Sequence, residues 1–164
     1  DLIRVGDVAT LGGASGVVEK ITLRKVQLRD EEGTVYTIPF SSISIIQNLT
    51  KNYSFYVMDI GVAYHTDTDR VVEVLRDIDK DLRADTAFAG LCLEPIEVMG
   101  VDRFADSAVI IKARLKTLPL KQWLVGREYN RRMKMAFDKA GIEIPFPQRV
   151  VTVRQGPAAE IVSA

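Results

Sequence analysis

The chain has 164 residues, of which 47% are hydrophobic and 27% charged, and its 22 basic and 22 acidic residues give a formal net charge of zero. This composition is typical of a globular protein, and the balanced charge argues against a dedicated nucleic-acid binder, which needs an excess of Lys and Arg to neutralise phosphates. No apolar run reaches the roughly 18 residues of a membrane span and no secretion leader is recognisable, so we expect neither.

The first stretch, residues 5–39, alternates apolar and polar residues and is interrupted by glycines. Residues 16–24 alternate as a strand does, and two further short strands are predicted after them. Gly12 and Gly13 mark a bend, because glycine accepts positive φ without a steric cost, and Gly33 closes a hairpin turn. Short strands separated by close turns indicate a small, strongly bent sheet or a partly open barrel.

The next segments indicate a connector, a strand and a helix. Residues 41–53 are predicted to be a connector, and we place the domain boundary between residues 51 and 52. Residues 55–64 alternate as a strand, and a capping sequence of Thr and Asp at residues 66–69 opens a helix. This helix carries apolar residues at helical spacing, which predict one buried stripe: Val71, Val74, Leu75, Ile78 and Leu82.

The rest of the chain predicts three more strands and a second helix. Residues 91–102 and 108–115 are predicted strands, and a long helix follows Pro119 and ends at Gly141. A final short strand is predicted at residues 150–154. The second helix has residues that recur every three or four positions and predict its packed face: Trp123, Gly126, Asn130, Met133, Phe137 and Ala140.

The order of these elements and their charges predict how the second half folds. Strand, helix, strand, strand, helix, strand is the order of the split βαβ or ferredoxin-like arrangement, with both helices on one face of the sheet. Residues 52–100 hold four basic and ten acidic groups, whereas residues 101–164 hold twelve and six. We therefore expect the acidic first helix to lie beside the basic second one.

Candidate chemical groups are few and isolated. His65 is the only histidine and Cys92 the only cysteine, so neither has a partner of its own kind for a metal site or a disulfide. The aspartates of residues 67–85, Asp79 among them, lack the spacing of a calcium loop and are expected to be helix caps and solvent-facing charges. The glycines of residues 12–16 precede a strand rather than the helix that a phosphate site requires. We expect no catalytic residue, no metal, no cofactor and no enzymatic activity.

Two ordered motif sets, about a hundred residues apart, point to a family. The first contains the residues Gly6, Asp7, Gly12, Gly13, Gly16, Gly33, Pro39 and Asn48, and the second is the segment AGIEIPFPQ at residues 140–148, with Gly141 and Pro145. Both closely resemble the small-conductance mechanosensitive channel (MscS) family, the first in its middle β-domain and the second near its C-terminus. The resemblance extends from about residue 3 to residue 154.

The resemblance implies a fold and a domain division. The expected class is α+β: an Sm-like small β-barrel domain at residues 1–51, a ferredoxin-like (βαββαβ) domain at residues 52–147, a short C-terminal strand at residues 148–155 that closes an oligomeric β-barrel, and a tail at residues 156–164. It also implies a function: the soluble cytoplasmic vestibule of an inner (plasma) membrane channel that opens under tension and releases ions and osmolytes in hypoosmotic shock. The family's subunits form a homoheptamer, and its membrane helices would precede Asp1.

Two sets of residues follow as candidate sites. Apolar positions that a neighbouring subunit could cover are Phe40, Ile43, Ile45, Val151 and Val153, since a β-domain of about fifty residues has little interior of its own. Basic residues that could influence the ion path are Arg127, Arg131 and Arg132. An Sm-like RNA-binding ring remains the alternative, although the strands lack an exposed aromatic pair and no nucleic-acid partner is expected.

Overall fold

The computed structural model describes residues 1–152, which form two antiparallel sheets and two long helices. The α+β class is therefore confirmed. The first sheet contains the strands β1 (Val8–Leu11), β2 (Ala14–Ile21), β3 (Lys25–Arg29), β4 (Val35–Pro39) and β5 (Ile46–Asn48). The second contains β6 (Ser54–Val62), β7 (Glu97–Phe104) and β8 (Val109–Thr117), and packs with the helices α1 (Thr68–Ala84) and α2 (Gln122–Ala140).

The first sheet is a bent meander with a core of its own. Its strands lie in the order β4-β3-β2-β1-β5, and every neighbouring pair is antiparallel. The register of β2 against β3 shifts between Val18 and Lys20, which bends the sheet. Within the described residues β4 and β5 are edge strands, so the sheet is open. Its buried core consists of Ala9, Leu11, Val18, Val26, Leu28 and Ile38.

The predicted connector is more ordered than its sequence indicates. A short 3₁₀ turn covers Phe40–Ser42, and β5 then pairs with β1, placing Ile46 opposite Leu11. The prediction of a plain connector was wrong here, because a strand of three residues is too short to show a periodic pattern.

The second sheet has the strand order β6-β8-β7, and both helices pack on one of its faces. The alternation predicted for this strand is present, and the buried face of β6 carries Met58, Ile60 and Val62. The predicted stripe of α1 is confirmed as well, since all five of its members are buried. Asp67 caps the helix by accepting a hydrogen bond from the backbone N–H of Asp69.

The sheet differs from the prediction at two places. Within residues 1–152 it has three strands rather than the four of a ferredoxin-like arrangement: residues 150–152 form no strand, and Val153, Arg154 and the predicted tail lie outside the described residues. In addition, β7 begins at Glu97 rather than at residue 91. Residues 86–91 form turns, in which the Asp85 carboxylate accepts a hydrogen bond from the N–H of Ala87 and the N–H of Phe88 donates to the Asp85 carbonyl. Cys92 makes only an isolated antiparallel bridge with Thr117.

The packed face of α2 is only partly the predicted one. Asn130 and Ala140 are exposed, whereas the buried residues of the helix are Gln122, Val125, Gly126, Tyr129 and Phe137. Gly126 lies directly on the Tyr56 ring, where an added Cβ would be 2.5 Å from the ring carbons. The Asn130 amide donates to the Tyr56 hydroxyl at 2.9 Å. This contact with β6 determines which face of α2 packs against the sheet. The spacing of residues along α2 alone does not predict it, because Tyr56 lies in a different element.

Candidate assembly surface and ion-path residues

Motif residues from the two ends of the first unit, the sheet formed by residues 1–51, meet in one hydrogen-bond network. The Asp7 carboxylate accepts hydrogen bonds from the backbone N–H of Arg4 and from the Asn48 side-chain amide, each at 2.8 Å. The side-chain oxygen Oδ1 of Asn48 accepts a hydrogen bond from the N–H of Thr50 at 3.0 Å, and the Thr50 hydroxyl accepts one from the N–H of Val8 at 3.1 Å. The network joins residues about forty positions apart and fixes β5 against β1.

Most of the motif glycines have the left-handed backbone that tight turns require. Positive φ angles occur at Gly6, Gly12, Gly13, Gly33 and Gly141, and Gly141 ends α2 in the left-handed conformation. Gly16 is the exception, because it lies within β2. An added Cβ there would be 2.6 Å from the carbonyl carbon of Arg29 on β3, so the close approach of two backbones requires a glycine. Pro39 precedes the 3₁₀ turn, and Pro145 is half-buried.

The predicted assembly residues divide into covered and uncovered positions. Phe40 and Ile43 pack partly against the first core. Ile45 is 67% exposed and Val151 is 79% exposed, whereas Val153 lies outside the described residues. The free apolar surface in this set therefore comes from Ile45 and Val151. Sequence reasoning missed Leu23, which is 100% exposed at the turn between β2 and β3, because an alternating pattern places it within a strand.

The three candidate ion-path arginines have different surroundings. Arg131 pairs with Glu128 at 2.7 Å. Arg132 pairs with Glu128 at 2.9 Å and with Asp85, at the end of α1, at 2.6 Å. The Arg132–Asp85 ion pair therefore joins the basic helix α2 to the end of the acidic helix α1. Arg127 is exposed and makes no ion pair within residues 1–152, so Arg127 and the largely exposed Arg131 offer the accessible charge.

Glu128 gives this cluster a pH dependence. Hydrogen bonds from Arg131 and Arg132 lower the pKa of Glu128 to about 2, from an ordinary value of 4.5. A lowered carboxyl pKa stabilises the folded chain fully above the unfolded value, and this stabilisation is lost as the pH falls from about 4.5 to about 2.

We therefore expect Glu128→Gln to lower the melting temperature at pH 6 and to have little effect near pH 2. Thermal unfolding of both chains across this pH range measures the difference. Asp77→Asn, which neutralises an exposed carboxylate without an ion pair in the described residues, is the control. A Glu128→Gln deficit of equal size at pH 2 and pH 6 would contradict the assignment.

Asp79 is a buried charge that sequence reasoning placed among the solvent-facing acids, and that interpretation was wrong. Asp79 is 2% exposed, and its carboxylate forms an ion pair with Arg83 at 2.9 Å. Burial, with the nearby Asp79 charge, raises the pKa of Tyr129, whose hydroxyl donates to the carbonyl of Leu75 at 2.8 Å. A signal was present in the sequence, since Asp79 lies four residues after Leu75 and thus on the apolar side of α1.

The only histidine, His65, and the only cysteine, Cys92, have no arrangement of neighbours typical of a catalytic site within residues 1–152. His65 Nε2 lies 3.6 Å from the Glu143 carboxylate, and both side chains are largely exposed. Cys92 is half-buried, and burial raises the pKa of its thiol, which disfavours the reactive thiolate. Within residues 1–152 no group of three or more His, Cys, Asp or Glu side chains is arranged to hold a metal ion.

Neither α1 nor α2 combines the length and the apolar character that crossing a lipid bilayer requires. This finding concerns the helices of the described part of the chain.

Comparison with known proteins gives matches to both units. The family model described as "Mechanosensitive ion channel, beta-domain" matches residues 1–51, and that described as "Mechanosensitive ion channel MscS, C-terminal" matches residues 56–144. A small-conductance mechanosensitive channel of Caldanaerobacter subterraneus is 31% identical over 155 residues, covering 94% of this chain and 54% of the relative. The moderate conductance mechanosensitive channel YbiO of Escherichia coli is 30% identical over 143 residues, covering 87% and 19%.

Solved structures give the same fold. The crystal structure of Helicobacter pylori MscS in a closed state superposes with a TM-score of 0.76 at 22% identity, covering 94% of this chain and 60% of that one. Arabidopsis thaliana MSL1 superposes with a TM-score of 0.61 at 18% identity, covering 88% and 53%. The chain thus spans about half of the Caldanaerobacter relative and a fifth of YbiO. With a family model matched over more than half of its residues, the chain belongs to the MscS family of mechanosensitive ion channels.

Proposed function

We propose that this chain forms a wall segment of the extramembrane vestibule of a mechanosensitive channel. Seven copies would surround a cavity on the cytoplasmic side of the plasma membrane, through which ions and small osmolytes pass when membrane tension opens the pore after hypoosmotic shock. Tension sensing and the pore itself would be supplied by parts of the protein outside these 164 residues.

One observation carries this proposal: the two channel-family matches cover both structural units in the order expected of one channel subunit. The named relatives are mechanosensitive channels of bacteria, and they give no support to the alternative of an RNA-binding ring.

The exposed apolar residues support assembly. Burying apolar surface contributes a favourable free energy of about 25 cal/mol per Å². In the single chain, most of the Ile45 side chain is exposed to solvent. Val150 is 98% exposed and Val151 is 79% exposed, although both are β-branched. In seven copies, residues 148–152, the described part of the predicted C-terminal strand, would pair side by side in a closed barrel, which would satisfy their backbone groups and leave no free edge.

The ion path is the less constrained part of the proposal. Arg127 and Arg131 are exposed on α2, and fixed charges that line an opening concentrate counter-ions there. We propose that these two arginines, rather than the structurally engaged Arg132, influence which ions enter the vestibule.

The function is tested on the full-length protein in membrane patches. Suction applied to the patch is expected to activate a current. In a salt gradient, the double variant Arg127→Glu with Arg131→Glu is expected to shift the reversal potential of that current toward the equilibrium potential of the cation. A patch that contains the protein but gives no tension-activated current would contradict the channel assignment. An unchanged reversal potential would remove only the role of the two arginines.

Assembly is tested at Ile45. We expect Ile45→Asp to weaken association at least about tenfold, because a subunit interface would then have to bury an unpaired carboxylate. Sedimentation velocity of the purified full-length protein over a range of concentrations measures the change. Met135→Asp is the matched control, since Met135 is also an exposed apolar residue but lies on α2. Equal oligomer populations for Ile45→Asp and the wild type would contradict the interface.

A further inference from the structure

The turn between β2 and β3, residues 22–25, is an apolar tip closed by hydrogen bonds. Leu23 at its apex is completely exposed. The N–H of Thr22 donates to the Lys25 carbonyl at 2.9 Å, and the N–H of Lys25 donates to the Thr22 hydroxyl at 3.2 Å. The N–H of Phe40 also donates to the Arg24 carbonyl at 2.9 Å. Because these hydrogen bonds already order the backbone of the turn, binding through Leu23 would cost less conformational entropy than binding through a disordered loop.

The tip is also basic. Arg24 and Lys25 directly follow Leu23, both are exposed, and neither makes an ion pair with a carboxylate in the part of the chain that the structure describes. The tip therefore offers a partner surface one apolar side chain beside two positive charges.

A groove of complementary character lies at the other end of the same hairpin, between the first sheet and the start of α2. Its apolar lining is formed by Val8, Val17, Tyr36, Leu49, Leu120 and Trp123. Its rim carries three acidic residues, Asp30, Glu31 and Glu32, and one basic residue, Arg29, whose charge is paired with Glu19. Glu31 and Glu32 are exposed and make no ion pair within residues 1–152, and the backbone N–H of Thr34 lowers the pKa of Asp30, which keeps that carboxylate ionised.

The tip cannot reach the groove of its own chain. Val17 and Thr22 lie five residues apart on and just beyond β2, a separation of about 17 Å along an extended strand. The two complementary surfaces thus face opposite directions along one hairpin. A contact between them must be head-to-tail between copies, the kind of contact that closes a ring when the rotation between neighbours is suitable.

We propose that the tip of each subunit inserts into the groove of its neighbour in the assembled ring. Leu23 packs against the apolar lining near Trp123, while Arg24 and Lys25 face Glu31 and Glu32 on the rim. This inference rests on the proposed homo-oligomer and specifies which of its surfaces meet.

Paired cysteines test the contact in membranes that contain the full-length protein, with Cys92 and any cysteine outside these residues replaced by serine. Leu23→Cys combined with Val17→Cys is expected to give a ladder of covalent oligomers under a mild oxidant. Each single variant is expected to remain uncrosslinked, because head-to-tail contacts keep identical residues apart. Leu23→Cys with Met135→Cys is the control pair. Equal crosslinking of the control pair, or none of the first pair, would overturn the contact.

Charge exchange gives an independent measurement. Arg24→Glu with Lys25→Glu is expected to weaken association by about tenfold or more, and adding Glu31→Lys with Glu32→Lys should restore most of it. No restoration in the quadruple variant would overturn the contact. Native mass spectrometry of the unmodified protein separates the two levels: an oligomer without the predicted crosslink contradicts only this contact, whereas a monomer contradicts the proposed assembly as well.

Discussion

Arg83→Leu is expected to lower the free energy of unfolding by about 3 kcal/mol. The cause is the carboxylate of Asp79, whose side chain is 3% exposed and whose charged partner is Arg83 at 2.9 Å. One of its oxygens, Oδ1, already lacks a hydrogen-bond partner among the described residues. Removing Arg83 would leave a buried charge without compensation between α1 and α2. Urea denaturation of the purified chain measures the loss.

Two further variants show whether the pair itself is responsible. Arg76→Leu is the control, because Arg76 lies on the exposed side of the same helix and makes no ion pair in the described chain; we expect a change below about 0.5 kcal/mol. The double variant Asp79→Leu with Arg83→Leu should recover most of the lost stability, since an apolar pair can replace a buried ion pair at little cost. A double variant less stable than Arg83→Leu would contradict this explanation.

Gly16→Ala is the second substitution with a large expected effect, a loss of about 3 kcal/mol or separate unfolding of the first unit. The added methyl group would collide with the carbonyl group of Arg29, and because this neighbour is backbone rather than a side chain, β2 and β3 would have to separate. Their separation would open the core around Val18 and Leu28.

Gly90→Ala is the matched control for Gly16→Ala. Gly90 has no heavy atom within 4 Å of an added Cβ and its φ is not in the left-handed region. We expect a small or even stabilising effect there. Urea denaturation, followed by amide hydrogen exchange of β2 and β3, measures both variants. Equal stability of the two would show that the backbones approach less closely than the structure indicates.

The first helix shows what local sequence predicts well. Its apolar stripe is confirmed, and the helix begins within the capping sequence predicted at residues 66–69, where the structure places the cap at Asp67. Both features depend on residues that are close together in the sequence. The alternation of β6 and the end of α2 at Gly141 are equally local and were also predictable. Local patterns therefore gave the type and the approximate position of most elements.

Features that depend on distant contacts were not predictable in the same way. The rotation of α2 is set by the approach of Gly126 to Tyr56, which lies 70 residues earlier. The strand β5 exists because it pairs with β1, and its three residues carry no pattern of their own. Among the candidate assembly residues, the sequence could not separate Ile45, which is exposed, from Ile43, which contacts the first core.

The direct test of the proposed vestibule wall is the copy number of the full-length protein, extracted from membranes in mild detergent and weighed by native mass spectrometry. A single assembly of seven subunits is the expected result, because the wall requires neighbours on both sides of every copy. A protein that remains one subunit at all concentrations would contradict it.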